Sequence, residues 1–595
     1  MKTSFHFSKL RRVRGLLWSV VLSLTGLILL YPVHLAFGYS PLESLYIFPN
    51  LEVFGLVFYS WFTLLILLVL LIEPAPNSHL LHALLACIFS LGFLGSYVVY
   101  SSPASVVDFE AGGLAFANFV DKNGFIIQPA TASANLAFNF GYFDFPFMAI
   151  LGSIVSQILN VSVLAVRNVL LLFNSVALSV FLYVAYAKLL CDSRIAVFAV
   201  MVSVVGNEIV GGVTRYLPSG EGILFTAFFF LLLSLGNKVM FESTKMKIVT
   251  LIFLVATSIL HLPTVVVFCC ILLGIALMLR MTHREWTHVL KVSLVLMVVV
   301  LAWSTFWAIT TTSTLFNVNF FDSMRQGFIG FAYILNRTNA YFGPSLPLWA
   351  TLTREFWIAM LFGIPILLVT KRFFFHRNLQ LEQIKIIGAI VGVVFFTGFA
   401  ILLSSYNGGQ QFYRFPTYAG FFAVFILLDA ILTSKRYKRY ILTLLIISLL
   451  SLSFPTFLVD NPHPNISQFY PQDYGASSFL STAITQQSKS TIFVDPDTNY
   501  LLLYYLPYAG IVYAPYPPDQ VSLSDFNTTL TSYYSDYLSA SNKYVLFVYS
   551  PRITVRYEDI FGIPASSPFW TGLQDNLSKS SSQVFNNGFI QIYSH

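Results

Sequence analysis

Residues 163–190, VLAVRNVLLLFNSVALSVFLYVAYAKLL, carry charge only at Arg167, near the start, and Lys188, near the end. The apolar run is continuous and does not alternate, so it reads as a helix and not as a barrel strand. Crossing the hydrocarbon core takes roughly 20 such residues, and this stretch is long enough. Comparable runs recur along the 595 residues, of which 56% are hydrophobic and 10% charged. So little charge cannot cover a soluble surface, and most of the chain must face lipid or protein.

The runs predict about thirteen helices. They lie near 15–37, 53–73, 80–100, 163–190, 195–210, 222–236, 248–260, 264–279, 289–308, 356–370, 386–405, 417–434 and 441–459. The first is too long for a signal peptide and has no small-residue cleavage site, which predicts a retained anchor. Lys2, Lys9, Arg11, Arg12 and Arg14 precede it and place the N-terminus in the cytoplasm. With that start, the inner segments collect 21 of the 33 Lys and Arg. The net charge of +7 is thus positive-inside topology and not a nucleic-acid patch. Thirteen crossings put the C-terminus outside the cytoplasm. The sequons at Asn160, Asn336, Asn465, Asn527 and Asn576 all fall on the segments expected outside. Cys87, Cys191, Cys269 and Cys270 sit in or beside helices and give no external disulfide framework.

The division expected is an N-terminal hairpin (1–79), an all-α polytopic membrane domain (80–459) and an extracytoplasmic α/β domain (460–595). Three outer regions, 101–162, 206–221 and 310–355, are long enough to carry chemistry. Within the first, the apolar stretch 145–159 is expected to lie along the outer surface, because a further crossing there would invert every later basic loop. From Asp460 onward, 10 acidic residues oppose 5 basic ones. A helix is expected over 475–487 and another over 499–508, with strands at 491–494, 510–513, 544–549 and 589–593 in a mainly parallel sheet.

Ionisable groups are scarce before this tail, so those at the outer loops stand out. Asp108 and Glu110, in SVVDFEAGG, can take a proton from a hydroxyl or bind a divalent cation; a solvated loop acid is the plainer reading. Glu208 and Glu221 bracket the second outer region, with Arg215 between them. An acid in Gly220-Glu221-Gly222 also suits simple helix capping. His261, in His261-Leu262-Pro263-Thr264, is either ordinary turn chemistry or a partner for a phosphate. Arg414 is a cation on the outer face, where the charge rule disfavours one, and its guanidinium suits a phosphate or pyrophosphate. Neither a Walker-type glycine loop nor a zinc-ligand spacing occurs. An enzyme built this way needs a substrate that arrives already activated.

The order of these motifs resembles the C-type superfamily of polytopic glycosyltransferases, which use polyprenyl- or dolichyl-phosphate sugars. That GT-C group includes protein O-mannosyltransferases, aminoarabinose transferases and oligosaccharyltransferase catalytic subunits. An acidic motif in a long first outer loop is matched by Asp108 and Glu110, and a following helix that starts with Arg by Arg167. A second acidic position is matched by the stretch from Arg215 to Glu221, a polar-Pro turn by His261 to Thr264, and a late outer Arg by Arg414. Two extra helices precede the first acidic loop here. Gln472-Asp473-Tyr474-Gly475 resembles part of a peptide-recognition motif but stands before the first expected tail helix.

The resemblance implies an inverting transfer of a sugar from a lipid-phosphate donor to a glycan, lipid or protein acceptor at the outer face. Asp108, assisted by Glu110, is the implied general base. Arg414, His261 and Arg215 are the implied donor-phosphate contacts, and Glu208 and Glu221 metal or acceptor contacts. A divalent cation, Mg2+ or Mn2+, is compatible with the acids but not required by them. Two rivals remain on sequence grounds, a lipid or polysaccharide transporter and a non-catalytic membrane subunit with an outer binding domain. The first predicts ionisable residues at mid-membrane, where the expected helix centres have almost none.

Overall fold

A computed structural model of the chain describes residues 51–71, 78–100, 108–123, 147–206, 218–235, 244–310, 380–403, 405–433, 471–484, 490–494, 510–513, 523–540, 544–551, 568–588 and 590–594, with short stretches near 356–367 and 443–449. The expected first helix, the outer region 310–355 past Thr310 and the expected helix at 499–508 lie outside these residues.

The membrane portion is a helical bundle. Its elements are α1 (Leu51–Leu71), α2 (His79–Tyr100), α3 (Asp108–Asn123), α4 (Phe147–Leu159), α5 (Val163–Leu190) and α6 (Ser193–Gly206). They continue with α7 (Pro218–Ser234), α8 (Thr244–Leu260), α9 (Leu262–Met281), α10 (Thr287–Thr310), α11 (Leu381–Leu403) and α12 (Ser405–Thr433). Among the described residues, Ala165–Leu190, Thr264–Met281 and Leu381–Gly398 are long and apolar enough to cross a bilayer. The protein is a multi-pass membrane protein. Helix α4 has 13 residues, about 20 Å at 1.5 Å per residue, which is too short to span.

Local sequence sets the helix ends. Ser162 caps α5, its hydroxyl accepting from the Ala165 N–H at 3.3 Å. Cys191 ends α5 in the left-handed region, and the Asp192 carboxylate accepts from the Arg194 and Ile195 N–H groups to open α6. His261 is the N-cap of α9, followed by Pro263 in the first turn, where its missing N–H costs nothing.

Small residues decide the closest helix contact. Gly388 and Gly392 of α11, four apart, lie against Gly274 of α9. A Cβ on Gly388 would stand 2.5 Å from the Ile275 Cα, so only glycine admits this approach. Elsewhere aromatic side chains fill the core. Trp61 and Phe89 stack between α1 and α2, and Phe229 stacks on Phe268 with centroids 4.4 Å apart.

Helix ends that the charge rule assigns to one side of the membrane lie together. Lys188 Nζ donates to the Leu235 carbonyl at 3.1 Å, Arg194 to the Leu70 carbonyl at 3.4 Å, and Gln383 to Asp429 at 2.8 Å. All six residues belong to ends expected on the inner side. Cations at helix C-termini are favoured by the helix dipole as well.

Three details differ from expectation. Helix α12 begins at Ser405, three residues before Gly408-Gly409, so Arg414 lies within the helix and not in a loop before it. The tail sheet is mixed rather than mainly parallel. Helix α13 (Pro471–Ala483) leads to β1 (Ser490–Val494), β2 (Gly510–Tyr513), α14 (Leu523–Ser539), β3 (Tyr544–Tyr549), α15 (Pro568–Ser580), β4 (Ser582–Asn586) and β5 (Gln591–Ser594). The order is β2-β1-β3-β5-β4; β1 runs parallel to β2 and β3, while β5 is antiparallel to β3 and β4. The antiparallel pair exists because Asn586-Asn587-Gly588 makes a tight turn. Gly588 has φ +82, and the two Asn side chains accept from the Gly588 and Ile590 N–H groups. Asp473 and Gly475 belong to α13 and do not precede it. Tyr533, Tyr537, Phe493, Phe547 and Trp570 form the core between sheet and helices.

Candidate active site

Helices α5 and α7 run side by side in the same direction. Two contacts show it, Asn174 to Glu221 at one level and Lys188 to Leu235 fourteen residues further along each helix. Glu221 stands in the first turn of α7, and α5 presents Asn174 to it. Asn174 Nδ2 donates to Glu221 Oε1 at 2.8 Å, and both residues are buried, 3% and 7% exposed. A carboxylate in a first turn faces free backbone N–H groups and the positive end of the helix dipole. That explains how an acid is tolerated at this depth.

The next residue, Gly222, brings α7 against the α8–α9 junction. A Cβ there would come within 2.9 Å of His261 Nδ1 and closer still to Thr264 Oγ1. His261 Nδ1 and Thr264 Oγ1 are themselves 2.7 Å apart, and the Thr264 side chain is buried. The structure therefore places an acid, an imidazole and a hydroxyl at the adjoining N-termini of α7 and α9. The first turns of α7 and α9 adjoin here, and a helix N-terminus favours an anion. Sequence reasoning singled out Glu221 and His261 separately, and nothing in their spacing said that the residue after Glu221 packs on His261.

Asn174 was missed. Its signal is plain in retrospect, an amide inside VLLLFNSVALSV, where the surrounding residues are apolar. Polar side chains within membrane helices are costly and tend to be functional.

The remaining expected residues stand as follows. Asp108 is the first residue of α3, with Glu110 in the same first turn. Both thus start a helix rather than occupy a free loop. Helix α3 packs on α4, where Asp121 accepts from Ser153 at 3.3 Å and Gln157 at 3.1 Å, and both helices reach α5. Arg167 lies buried near the start of α5, at 3% exposure. Arg414 is placed on α12. Glu208 and Arg215 lie outside the described residues. Among the described residues, no group of three or more His, Cys, Asp or Glu could hold a metal ion. Glu221 and the Asn174 amide supply oxygen donors of the kind a hard cation takes, without a full ligand set between them.

No protein-family model matches the chain, and no curated protein matches it. Solved structures do. ArnT from Cupriavidus metallidurans bound to undecaprenyl phosphate is 11% identical, with 88% of this chain and 98% of that one covered and a TM-score of 0.46. The Archaeoglobus fulgidus oligosaccharyltransferase, tethered to an acceptor peptide containing the NVT sequon, is 12% identical over 82% of this chain and 70% of that one, with a TM-score of 0.49. ArnT in the apo state is 12% identical over 87% and 97%, with a TM-score of 0.38. The chain is similar in fold to these two proteins over most of its length. At TM-scores below 0.5 the likeness carries nothing about its chemistry.

Proposed function

We propose that the protein is a membrane glycosyltransferase that moves a sugar from a polyprenyl-phosphate donor to an acceptor at the outer face. The observation that carries this reading is the packing of Gly222, next to Glu221 in the first turn of α7, against His261 at the N-terminus of α9. An anionic group such as the donor phosphate is attracted there by the dipoles, while a buried carboxylate beside it can hold hydroxyls. A transporter needs ionisable residues spread along a path; among the described residues nearly all of them stand near helix ends and not at helix centres.

In this mechanism the acceptor hydroxyl oxygen attacks the anomeric carbon opposite the phosphate. The bond between that carbon and the phosphate oxygen breaks, and configuration inverts. Asp108 takes the hydroxyl proton. Polyprenyl phosphate leaves with the bonding pair, and Arg414 and His261 receive its new charge. Glu110, Glu221 and Glu208 orient the acceptor or a divalent cation, and Arg215 adds a further phosphate contact.

The test is transfer of label from polyprenyl-phosphate sugars to cell-envelope extract by the purified protein and by Asp108→Asn. Transfer that drops about 100-fold or more in a folded Asp108→Asn protein is the expected result. Equal transfer by both removes Asp108 from the chemistry. No transfer by either, with several sugars tried, favours the transporter.

A further inference from the structure

The Asn174 amide has one atom accounted for and one not. Its Nδ2 donates to Glu221 Oε1, while Oδ1 is buried and has no hydrogen-bond partner among the described residues. Leaving an amide oxygen dry and unpaired costs roughly 1–3 kcal/mol, so such an atom calls for an explanation. Ser175 Oγ is also buried without a partner. A helix hydroxyl, however, can swing to the carbonyl four residues back, as Ser179 does to Ser175. An amide cannot relieve itself that way.

Turning the amide over does not remove the deficit. Oδ1 would then accept from a protonated Glu221, and Nδ2 would be left with hydrogens and no acceptor. In either orientation one further group is needed. A phosphate only accepts, and an ammonium only donates. A hydroxyl can donate to Oδ1 or accept from Nδ2, so of these three groups it alone suits both states.

We infer that Asn174 is a specificity residue whose free amide edge reads a single ring hydroxyl of the donor sugar, with Glu221 holding the amide in position. The inference rests on the transferase reading and names a recognition element within that site. Asn174 reaches the sugar from α5; the anion-favouring end of α7 lies beside it, and that of α9 lies against α7 at Gly222. That arrangement puts the phosphate at the helix ends and the ring against the amide. Ordered water is the competing occupant.

The experiment is equilibrium binding to the full-length protein in detergent. The ligands are polyprenyl-phosphate glucose, mannose and galactose, their monodeoxy forms, and bare polyprenyl phosphate. Wild type, Asn174→Ala and Asn174→Ser are compared. For the sugar that binds, one monodeoxy form should bind wild type about tenfold more weakly than its parent. Both variants should show no such difference and should keep wild-type affinity for bare polyprenyl phosphate, which controls for folding. Equal affinity of parent and all monodeoxy forms for wild type overturns the inference and leaves water at the amide. A hydroxyl-specific loss that persists in both variants overturns it too, as does loss of bare-lipid binding by both variants, which marks Asn174 as purely structural. Failure of wild type to bind any of these lipids sinks the transferase reading itself.

Discussion

Asn174 and Glu221 form the hydrogen bond, 2.8 Å long, that ties the middle of α5 to the first turn of α7. It joins a residue in a continuous apolar helix to the start of another. Glu221 is thereby held in one orientation beside Gly222, and through Gly222 beside His261 and Thr264.

Replacing Glu221 should separate its charge from its hydrogen bond. Glu221→Gln keeps an acceptor for Asn174, so its thermal midpoint should stay close to wild type. Glu221→Ala strands the Asn174 amide and should cost about 1–3 kcal/mol. Sugar transfer should fall at least about tenfold in both. If Glu221→Gln transfers at the wild-type rate, the carboxylate charge has no part in the reaction.

Gly222 offers a second, sharper test. A methyl there meets His261 and Thr264, whereas one on Gly95 or Gly398 meets nothing within 4 Å. Gly222→Ala should displace the His261–Thr264 pair and cost about 1–3 kcal/mol, with a larger proportional loss of transfer. Gly95→Ala and Gly398→Ala should be neutral or stabilising by about 0.5–1 kcal/mol, because alanine suits a helix better. Thermal unfolding and transfer on the same four proteins decide it. A Gly222→Ala protein that behaves like Gly95→Ala would mean that the α7–α9 approach is looser than described.

Much of this was legible in the sequence because lipid imposes a coarse rule. Long apolar runs had to be helices, and the charge rule then assigned their ends; the Lys188–Leu235 and Gln383–Asp429 contacts join ends so assigned. The turn at His261 was readable from Pro263. The start of α12 was not, because Gly408-Gly409 signals a break while the fold continues the helix through it. Strand β4 was hidden by its composition, Ser582-Gln583-Val584-Phe585-Asn586, which is too polar to read as a buried strand, and its partner shifts register between Gln583 and Phe585. The Asn174–Glu221 bond was invisible for a different reason. It is a contact across 47 residues, and periodicity speaks only of neighbours on one helix.

The glycine seam between α9 and α11 should be the least tolerant part of the bundle. Gly388→Val and Gly392→Val push a side chain into the backbone at Ile275 and at Cys270. There is no flexible side chain to yield there, so each should cost at least about 1–3 kcal/mol. Yield of folded protein and thermal midpoint in detergent are the measurements. Wild-type values for both variants would contradict the packing described for α9 and α11.

The tail should lose stability in alkali, and Tyr537 should be one reason. It is fully buried, its hydroxyl donates to Ser581 Oγ at 2.9 Å, and burial raises its pKa above the ordinary 10.0. Above pH 10 an unfolded Tyr537 gives up its proton while the folded one keeps it. The native state then binds more protons than the unfolded state, so stability is complete below about pH 10 and falls as pH rises toward the folded pKa. Tyr537→Phe removes that contribution. At about pH 8 it should cost roughly 0.5–1.5 kcal/mol for the lost hydrogen bond. Between about pH 8 and about pH 11 its unfolding midpoint should then fall less than that of wild type, since one group fewer ionises on unfolding. Identical falls in the two proteins would show that Tyr537 already ionises freely in the fold, which its complete burial against Phe493 and Phe547 argues against.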